Sequence, residues 1–433
     1  MEVQLPRYFD CQPVNQQCRW RGPTRVLDKN LQKRVVAEAK FVRAYYYYDL
    51  VKNFGGVPLV KQALALDEMT FERADAKEVY AFIEEDLKAA VEDLPLKSQM
   101  EIAEQVGRAT KGAALAMLVK VSASQASEGY SRQSFYDPNK WADAKEYAEQ
   151  LFALGKYSLY MGDYHDIFTE AGENGPGSIF EIQYYDSPLN DGATTDNGNF
   201  NTFLNNTWFG GADPYGKHGV TYDAYLAFED GDPRREASII NIVKYADQWG
   251  EDPEDAFTLT GFANYKHYIS KEEYQALGNQ RNSPINERII RLSDIYLLYA
   301  EASYHTGDEA TALQYVNMVR ERARGAGTIP ADISSTGTAL LEDIYLERRR
   351  ELVSEGHRWH DLVRTGRLDE LNADGYKVKA SITRDGVGGY IVTDSGDPIF
   401  KPTNLAPTTH IYFPIPISEI DNSGGVITPN PGY

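Results

Sequence analysis

Apolar positions recur along this chain with a helical period, beginning with a dense stretch from Val35 to Phe54. Apolar and aromatic residues crowd that stretch closely enough to predict a mostly buried helix, ended by Gly55-Gly56 and Pro58. A second helix should follow. Asp75 with Glu78 three positions on forms an N-cap arrangement, and Val79, Ile83, Leu87, Ala90 and Leu94 make one stripe that stops at Pro95. The two are expected to pair as an antiparallel hairpin.

Lys111 to Ser124 and Trp141 to Leu154 supply the next pair, the latter with Trp141, Ala144, Tyr147, Ala148 and Leu151 on one face. The same spacing returns further on. Between Arg291 and Arg324, Tyr296 and Ala300 precede Gly307-Asp308, and Ala312, Tyr315 and Val319 repeat the spacing of Ala144, Tyr147 and Leu151. That unit resembles a tetratricopeptide repeat, in which small residues let two helices approach and a Gly-Asp turn joins them. A last pair spans Leu340 to Leu352 and Trp359 to Val363. Helix pairs are therefore predicted at about 35–94, 111–154, 288–324 and 340–364, enough to stack into a continuous core. The fold class is all-α, a tetratricopeptide-like helical repeat scaffold with long loop insertions and short β-hairpins.

Between the second and third pairs, from about 155 to 287, Gly, Asn, Asp, Tyr and Trp interrupt the helical period. A loop excursion of that length inside a compact protein is usually functional, and its aromatic content argues against disorder. The C-terminal region from about 365 to 433 includes alternation around Asp385-Gly386 and Gly388-Gly389, which predicts one or two short hairpins between Tyr376 and Phe400.

Composition narrows the function. With 64 acidic against 44 basic residues the formal charge is -20, a field that repels nucleic acid and anionic lipid. Thirty tyrosines against seventeen phenylalanines favour rings that bury one face and keep a hydroxyl available, a surface suited to sugars or peptides. Cys11 and Cys18 alone cannot frame a disulfide scaffold. No apolar run approaches the roughly 20 residues of a membrane span.

Four motifs carry a family resemblance. The first is Ala37-Glu38-Ala39-Lys40-Phe41-Val42-Arg43-Ala44-Tyr45-Tyr46-Tyr47, leading to Phe54-Gly55-Gly56-Val57-Pro58-Leu59-Val60. The second is Arg291-Leu292-Ser293-Asp294-Ile295-Tyr296-Leu297-Leu298-Tyr299-Ala300-Glu301-Ala302, with Val316-Asn317-Met318-Val319-Arg320 beyond it. The third runs Glu347-Arg348-Arg349-Arg350-Glu351-Leu352, then Glu355-Gly356-His357-Arg358-Trp359-His360-Asp361-Leu362-Val363-Arg364. The fourth is Phe413-Pro414-Ile415-Pro416, ending in Asn430-Pro431-Gly432-Tyr433. In this order they resemble the SusD/RagB family from about Val35 to Tyr433, defining residues 35–433 as one SusD-like domain after an atypical segment, 1–34. The resemblance implies a non-catalytic protein without cofactor, anchored by an N-terminal lipid to the outer leaflet of the outer membrane. It would bind oligosaccharide and deliver it to a partner, a SusC-like TonB-dependent barrel transporter. Peptide capture of the RagB kind and, from another class, an all-helical glycoside hydrolase are the alternatives.

The N-terminus departs from that family. Met1 to Asp10 has no apolar stretch before a lipid-accepting cysteine, and Arg7, Arg19, Arg21 and Arg25 interrupt a polar, aperiodic run. Met1 to Arg25 is expected to be irregular and foreign to the native fold, from a truncated gene model or an out-of-frame start. The upstream frames should then restore a signal peptide and lipid-attachment cysteine.

Candidate chemistry concentrates in the excursion. Sugars present apolar C–H faces and hydroxyls, and Asn205-Asn206-Thr207-Trp208-Phe209 offers a stacking ring beside amides. The expected ligand-binding set is Trp208, Trp249, Tyr215, Tyr222, Asn205, Asn206 and Asp213. Asp186, Asp191, Asp196 and Asn199 match no EF-hand spacing and read as solvated acids. His357 and His360 lack a third zinc ligand at motif spacing. Glu347 and Glu351 read as charge pairs on a helix face rather than a glycosidase pair, and Arg350 and Arg358 as ties between helices. No catalytic residue and no metal site is expected.

Overall fold

The structure is a computed structural model that describes residues 28–62, 71–102, 104–184, 219–250, 260–276, 283–373, 376–396 and 409–433, with the backbone of 9–10 and 19–20. Helices dominate the described residues, as the apolar periodicity predicts. The chain divides into two compact units, residues 1–95 with 412–433, and residues 96–411. No helix among the described residues is long and apolar enough to cross a membrane.

In the first unit, α1 (Lys29–Phe54) and α2 (Ala76–Asp93) form the antiparallel hairpin. Asp75 caps α2 by accepting from the Lys77 amide at 2.8 Å. Arg43 donates to both oxygens of Asp86 at 2.7 and 2.9 Å and lies over the Phe82 ring at 4.6 Å, and Tyr47 meets the same ring edge-on. The mostly buried α1 of the sequence reading needs correction. One face, Ala37, Phe41, Ala44, Tyr47 and Val51, is buried, whereas Leu31, Val35, Val42, Tyr46 and Leu50 remain 39–60% exposed because a single partner helix covers a single stripe.

The Phe54-Gly55-Gly56 sequence has a steric cause. Gly55 sits at φ +72° under the Tyr412 ring, and a Cβ on Gly56 would lie 2.3 Å from the Ala74 carbonyl oxygen. Arg73 closes this end of α1 by donating to the carbonyls of Phe54 and Gly56 and to the Asn430 side chain. Asn430 in turn donates to Phe54 and Phe413, so the first and last motifs form one hydrogen-bonded knot.

The second unit holds α3 (Lys97–Ile102), α4 (Lys111–Ala126) and α5 (Lys140–Ala153), then four short helices: α6 (Tyr222–Leu226), α7 (Pro233–Ser238), α8 (Ile242–Trp249) and α9 (Lys271–Ala276). The repeat helices α10 (Leu292–His305), α11 (Glu309–Arg324), α12 (Gly337–Glu351) and α13 (Arg358–Arg364) follow. α10 is central, packing on α4, α5, α11 and α12. Ala144 and Leu151 are buried as Ala312 and Val319 are, so equal spacing produced equal packing. Phe152 of α5 meets Tyr296, Tyr299 and Tyr315, which seals the seam between the two pairs. At the turn, Gly307 has φ +82° and Asp308 caps α11 through the Thr311 amide. α13 packs against the 3-10 turn Glu128–Tyr130, and two ion pairs, Arg348–Asp361 and Arg364–Glu301, hold it to the repeat helices.

The described part of the excursion is more regular than its broken periodicity predicts. Besides α6 to α9 it contains β1 (Ser178–Ile182), β2 (Ile239–Asn241), β3 (Phe262–Asn264) and β4 (Glu287–Arg291), paired antiparallel as β1 with β4 and β2 with β3. Helices of five to eight residues span one or two turns, too few for a stripe to register. Their starts are set by side-chain caps instead, Thr221, Asp232 and Asn241. The C-terminal hairpin is present as Ala380–Arg384 with Tyr390–Asp394, and Asp385 accepts from the amides of Val387 and Gly389 at its tip. Of Met1 to Arg25, Phe9–Asp10 pairs with Arg19–Trp20, and the rest, with Cys11 and Cys18, lies outside the described residues.

Candidate functional site

Within the second unit, two 3-10 turns from distant parts of the excursion meet. Tyr164–Phe168 begins at Asp163, which accepts from the His165 amide, and Tyr265–His267 begins at Asn264, which accepts from the Lys266 amide. Lys266 ties them together. Its buried ammonium donates to the Tyr164 hydroxyl at 3.1 Å, the Glu351 carbonyl at 2.9 Å and the Glu355 carboxylate at 2.6 Å. Desolvation outweighs the attraction of these acids and lowers its pKa to about 8. Arg288 holds the first turn from beneath, donating to the Ile167 and Thr169 carbonyls that flank Phe168.

Above these turns lies a cleft of about 610 Å³, whose rings are His165, Tyr184, Tyr265 and Tyr268. All four are half-buried. The His165 imidazole stacks on Tyr265 at 4.1 Å with its Nδ1 3.0 Å from the Ala237 carbonyl, and Tyr268 stands 5.2 Å from Tyr265. α8 braces them, since Lys244 lies over Tyr265 at 5.5 Å and Tyr245 meets Tyr268 edge-on.

Carboxylates ring the rim. Glu273 and Ser270 form a capping box at the start of α9, the carboxylate accepting from the Ser270 amide at 2.7 Å. Glu173 accepts from the Asn286 amide at 2.7 Å, and burial raises its pKa. Asn286 also accepts from the Tyr184 amide, so this one residue, just before β4, orders one ring and one acid of the cleft together. Such an arrangement offers flat apolar faces and hydrogen-bond acceptors at close quarters, the pairing that a polyhydroxylated ring requires.

The expected site residues fall differently. Trp208, Tyr215, Asn205, Asn206 and Asp213 lie outside the described residues, as do Asp186, Asp191, Asp196 and Asn199. Trp249 closes α8, whose Lys244 and Tyr245 pack against the cleft rings Tyr265 and Tyr268, but its side chain lies outside the described groups. Tyr222 is not brought to the cleft. It stacks with Tyr225 and Phe262 in a separate apolar cluster and is 8% exposed. The cleft's own rings were not singled out in the sequence; the one local signal was the run Asn264-Tyr265-Lys266-His267-Tyr268, polar and aromatic by turns.

Glu347 and Glu351 also need correction, because they are interior ties rather than a helix-face pattern. Glu347 accepts from Arg234 and Arg320, and Glu351 from Arg234, Arg291 and Arg322, all with side chains at most 5% exposed. The guanidiniums hold Glu351 far below the usual carboxylate range, which suits an anchor and not a proton donor. Arg350 does bridge elements, reaching the Ala227 carbonyl and Glu229, and Arg358 reaches Glu370. His357 is half-buried, and desolvation lowers its pKa to about 4. Among the described residues no group of three or more His, Cys, Asp or Glu side chains is placed to hold a metal ion.

Fold and site together define a helical-repeat scaffold that carries an aromatic cleft in its insertions. Residues 176–433 match the model of the SusD family, and residues 24–122 match a model described as starch-binding associating with outer membrane. The chain belongs to the SusD family. It is 28% identical over 344 residues to a SusD-like protein of Bacteroides ovatus, covering 76% of this chain and 58% of that one. To SusD-like protein P25 of Formosa agariphila it is 24% identical over 417 residues, covering 91% and 72%. Among solved structures, a laminarin binding SusD-like protein superposes with a TM-score of 0.70 at 28% identity, covering 94% of this chain and 80% of that one. Surface glycan-binding protein A from Bacteroides thetaiotaomicron, in complex with laminarihexaose, shares the fold with a TM-score of 0.74 at 24% identity, over 94% and 80%.

Proposed function

We propose that this protein captures oligosaccharide at the cell surface without cleaving it and passes it to a SusC-like TonB-dependent barrel transporter. The carrying observation is the half-buried cleft of His165, Tyr184, Tyr265 and Tyr268 rimmed by Glu173 and Glu273. Two SusD-type neighbours whose names mention laminarin or laminarihexaose support a glycan as ligand. Trp208 and Trp249, with Asn205, Asn206 and Asp213, complete the platform in this reading. The description of the second family model, associating with outer membrane, supports an outer-membrane location, and the lipid anchor belongs to this proposal.

Calorimetry against laminarihexaose, a panel of other oligosaccharides and a peptide mixture tests this. Binding to at least one glycan, lost in Tyr265→Ala, and no new reducing ends are expected. Binding to peptides alone would replace the reading with peptide capture. Glu173 favours one rival, since a carboxyl of raised pKa beside a sugar-sized cleft is what a glycosidase acid needs. Reducing ends released by the native chain and abolished in Glu173→Gln would establish the hydrolase.

A further inference from the structure

His165 and Tyr265 line two cavities. Besides the cleft of about 610 Å³ they form part of the wall of a second cavity, of about 480 Å³, whose other walls include Asp163, Pro233, Glu236 and Ala237. The two spaces therefore adjoin along the stacked pair.

That pair is firmly placed and incompletely bonded. His165 Nδ1 lies 3.0 Å from the Ala237 carbonyl, which can only accept, so Nδ1 carries the proton and the neutral imidazole keeps Nε2 as an acceptor. Tyr265 is held by the 4.1 Å stack and by its place in the 3-10 turn that Asn264 caps. Neither His165 Nε2 nor the Tyr265 hydroxyl has a hydrogen-bond partner among the described residues, and both side chains are half-buried. The second cavity repeats the chemistry of the first. Asp163 spends one oxygen on the His165 amide and has the other unengaged among the described residues, and Glu236 accepts from the Tyr390 hydroxyl at 3.1 Å. Acceptors for sugar hydroxyls thus stand at its edge, with Pro233 and Ala237 supplying apolar surface beside them.

We infer that the second cavity is a further carbohydrate subsite, and that the captured glycan crosses the His165–Tyr265 pair to occupy both cavities at once. The inference rests on the glycan-capture reading and specifies its ligand as an extended chain rather than a terminal sugar. Size supports the crossing. The cleft alone lies within the ~300–1,000 Å³ that encloses one drug-sized ligand, a di- or trisaccharide, whereas a hexasaccharide needs the space of both. A chain lying over the pair gives Nε2 and the Tyr265 hydroxyl the partners that the described residues do not supply.

Calorimetry on the full chain over laminaribiose to laminarihexaose, or over the same lengths of whichever panel glycan binds, tests this. Affinity should rise at least about tenfold from the disaccharide to the hexasaccharide, a gap of roughly 1.4 kcal/mol. A longer chain also gains from the number of registers in which it can enter one cavity, and that gain survives filling the other. Ala237→Trp and Pro233→Trp each fill the second cavity from a wall that the cleft does not share. Pro233 is exposed at the first position of α7 and Ala237 is half-buried in its last turn, so the two substitutions perturb the fold differently, and thermal melts check each. Hexasaccharide affinity should fall in both to within about twofold of the disaccharide's, with the disaccharide bound as in the native chain. Equal affinity for short and long chains in the native protein, or a length gain that survives the variants, overturns the subsite and leaves glycan capture standing. If no oligosaccharide of any length binds, glycan capture itself falls, and the subsite with it.

Discussion

Replacing Lys266 by Met probes how the floor of the cleft is held. The ammonium is buried among Glu355, Glu351, Arg291 and Tyr164, and its pKa lies near 8 against 10.5 for an ordinary lysine. Between those values the folded chain has released a proton that the unfolded chain retains, so the unfolded state binds more protons and stability rises with pH. Below pH 8 both states are protonated and the burial cost stands in full, about 3 kcal/mol at ~1.4 kcal/mol per pH unit. Methionine keeps the contacts with the Tyr164 and Phe168 rings but cannot titrate. Urea unfolding followed by circular dichroism, on both proteins from pH 7 to 10.5, isolates the effect because other lysines and tyrosines titrate in both. The stability of the native chain minus that of the variant should climb by about 3 kcal/mol across pH 8 to 10.5. A difference flat with pH would refute the assignment of a strained buried ammonium. Lys266→Met should also weaken glycan binding, since Lys266 joins the turn carrying His165 to the turn carrying Tyr265.

Four further substitutions have definite expected outcomes. Gly56→Ala should lower the urea midpoint by the equivalent of about 1–3 kcal/mol, because the new methyl meets the Ala74 carbonyl at 2.3 Å. Tyr222→Ala should cost about 3–5 kcal/mol of stability, whereas Trp208→Ala should weaken glycan binding by about 1 kcal/mol or more with an unchanged melting temperature. Calorimetry and thermal melts on the two variants separate a core ring from a platform ring. Arg384→Ala should move stability by less than about 0.5 kcal/mol, since its pair with Asp247 is 52% exposed on both sides.

The long helices were legible because their evidence is local. Val79, Ile83, Leu87 and Ala90 recur at helical spacing and all are buried, and Asp75 caps the helix they begin. The repeat was legible for the same reason, since Ala144 and Ala312 occupy equivalent seams. Tyr222 shows the limit of composition. An aromatic residue in a loop-rich stretch reads identically whether it stacks on Phe262 inside a cluster or faces a cleft, and the neighbours that decide are some 40 residues away.

What the sequence determined by itself was the helical-repeat scaffold, the turns and caps that punctuate it, and the family motifs that bracket it. Those features depend on residues within one or two turns of each other, so period and cap chemistry suffice to reveal them. The tertiary structure alone decided the cleft and the ionic network. His165 meets Tyr265 across a hundred residues, and Glu351 is an anchor because arginines from three separate segments converge on it out of water. Stacking and ion pairing act through space, and burial sets their strength, so neither partner nor magnitude is written in the spacing of residues along the chain.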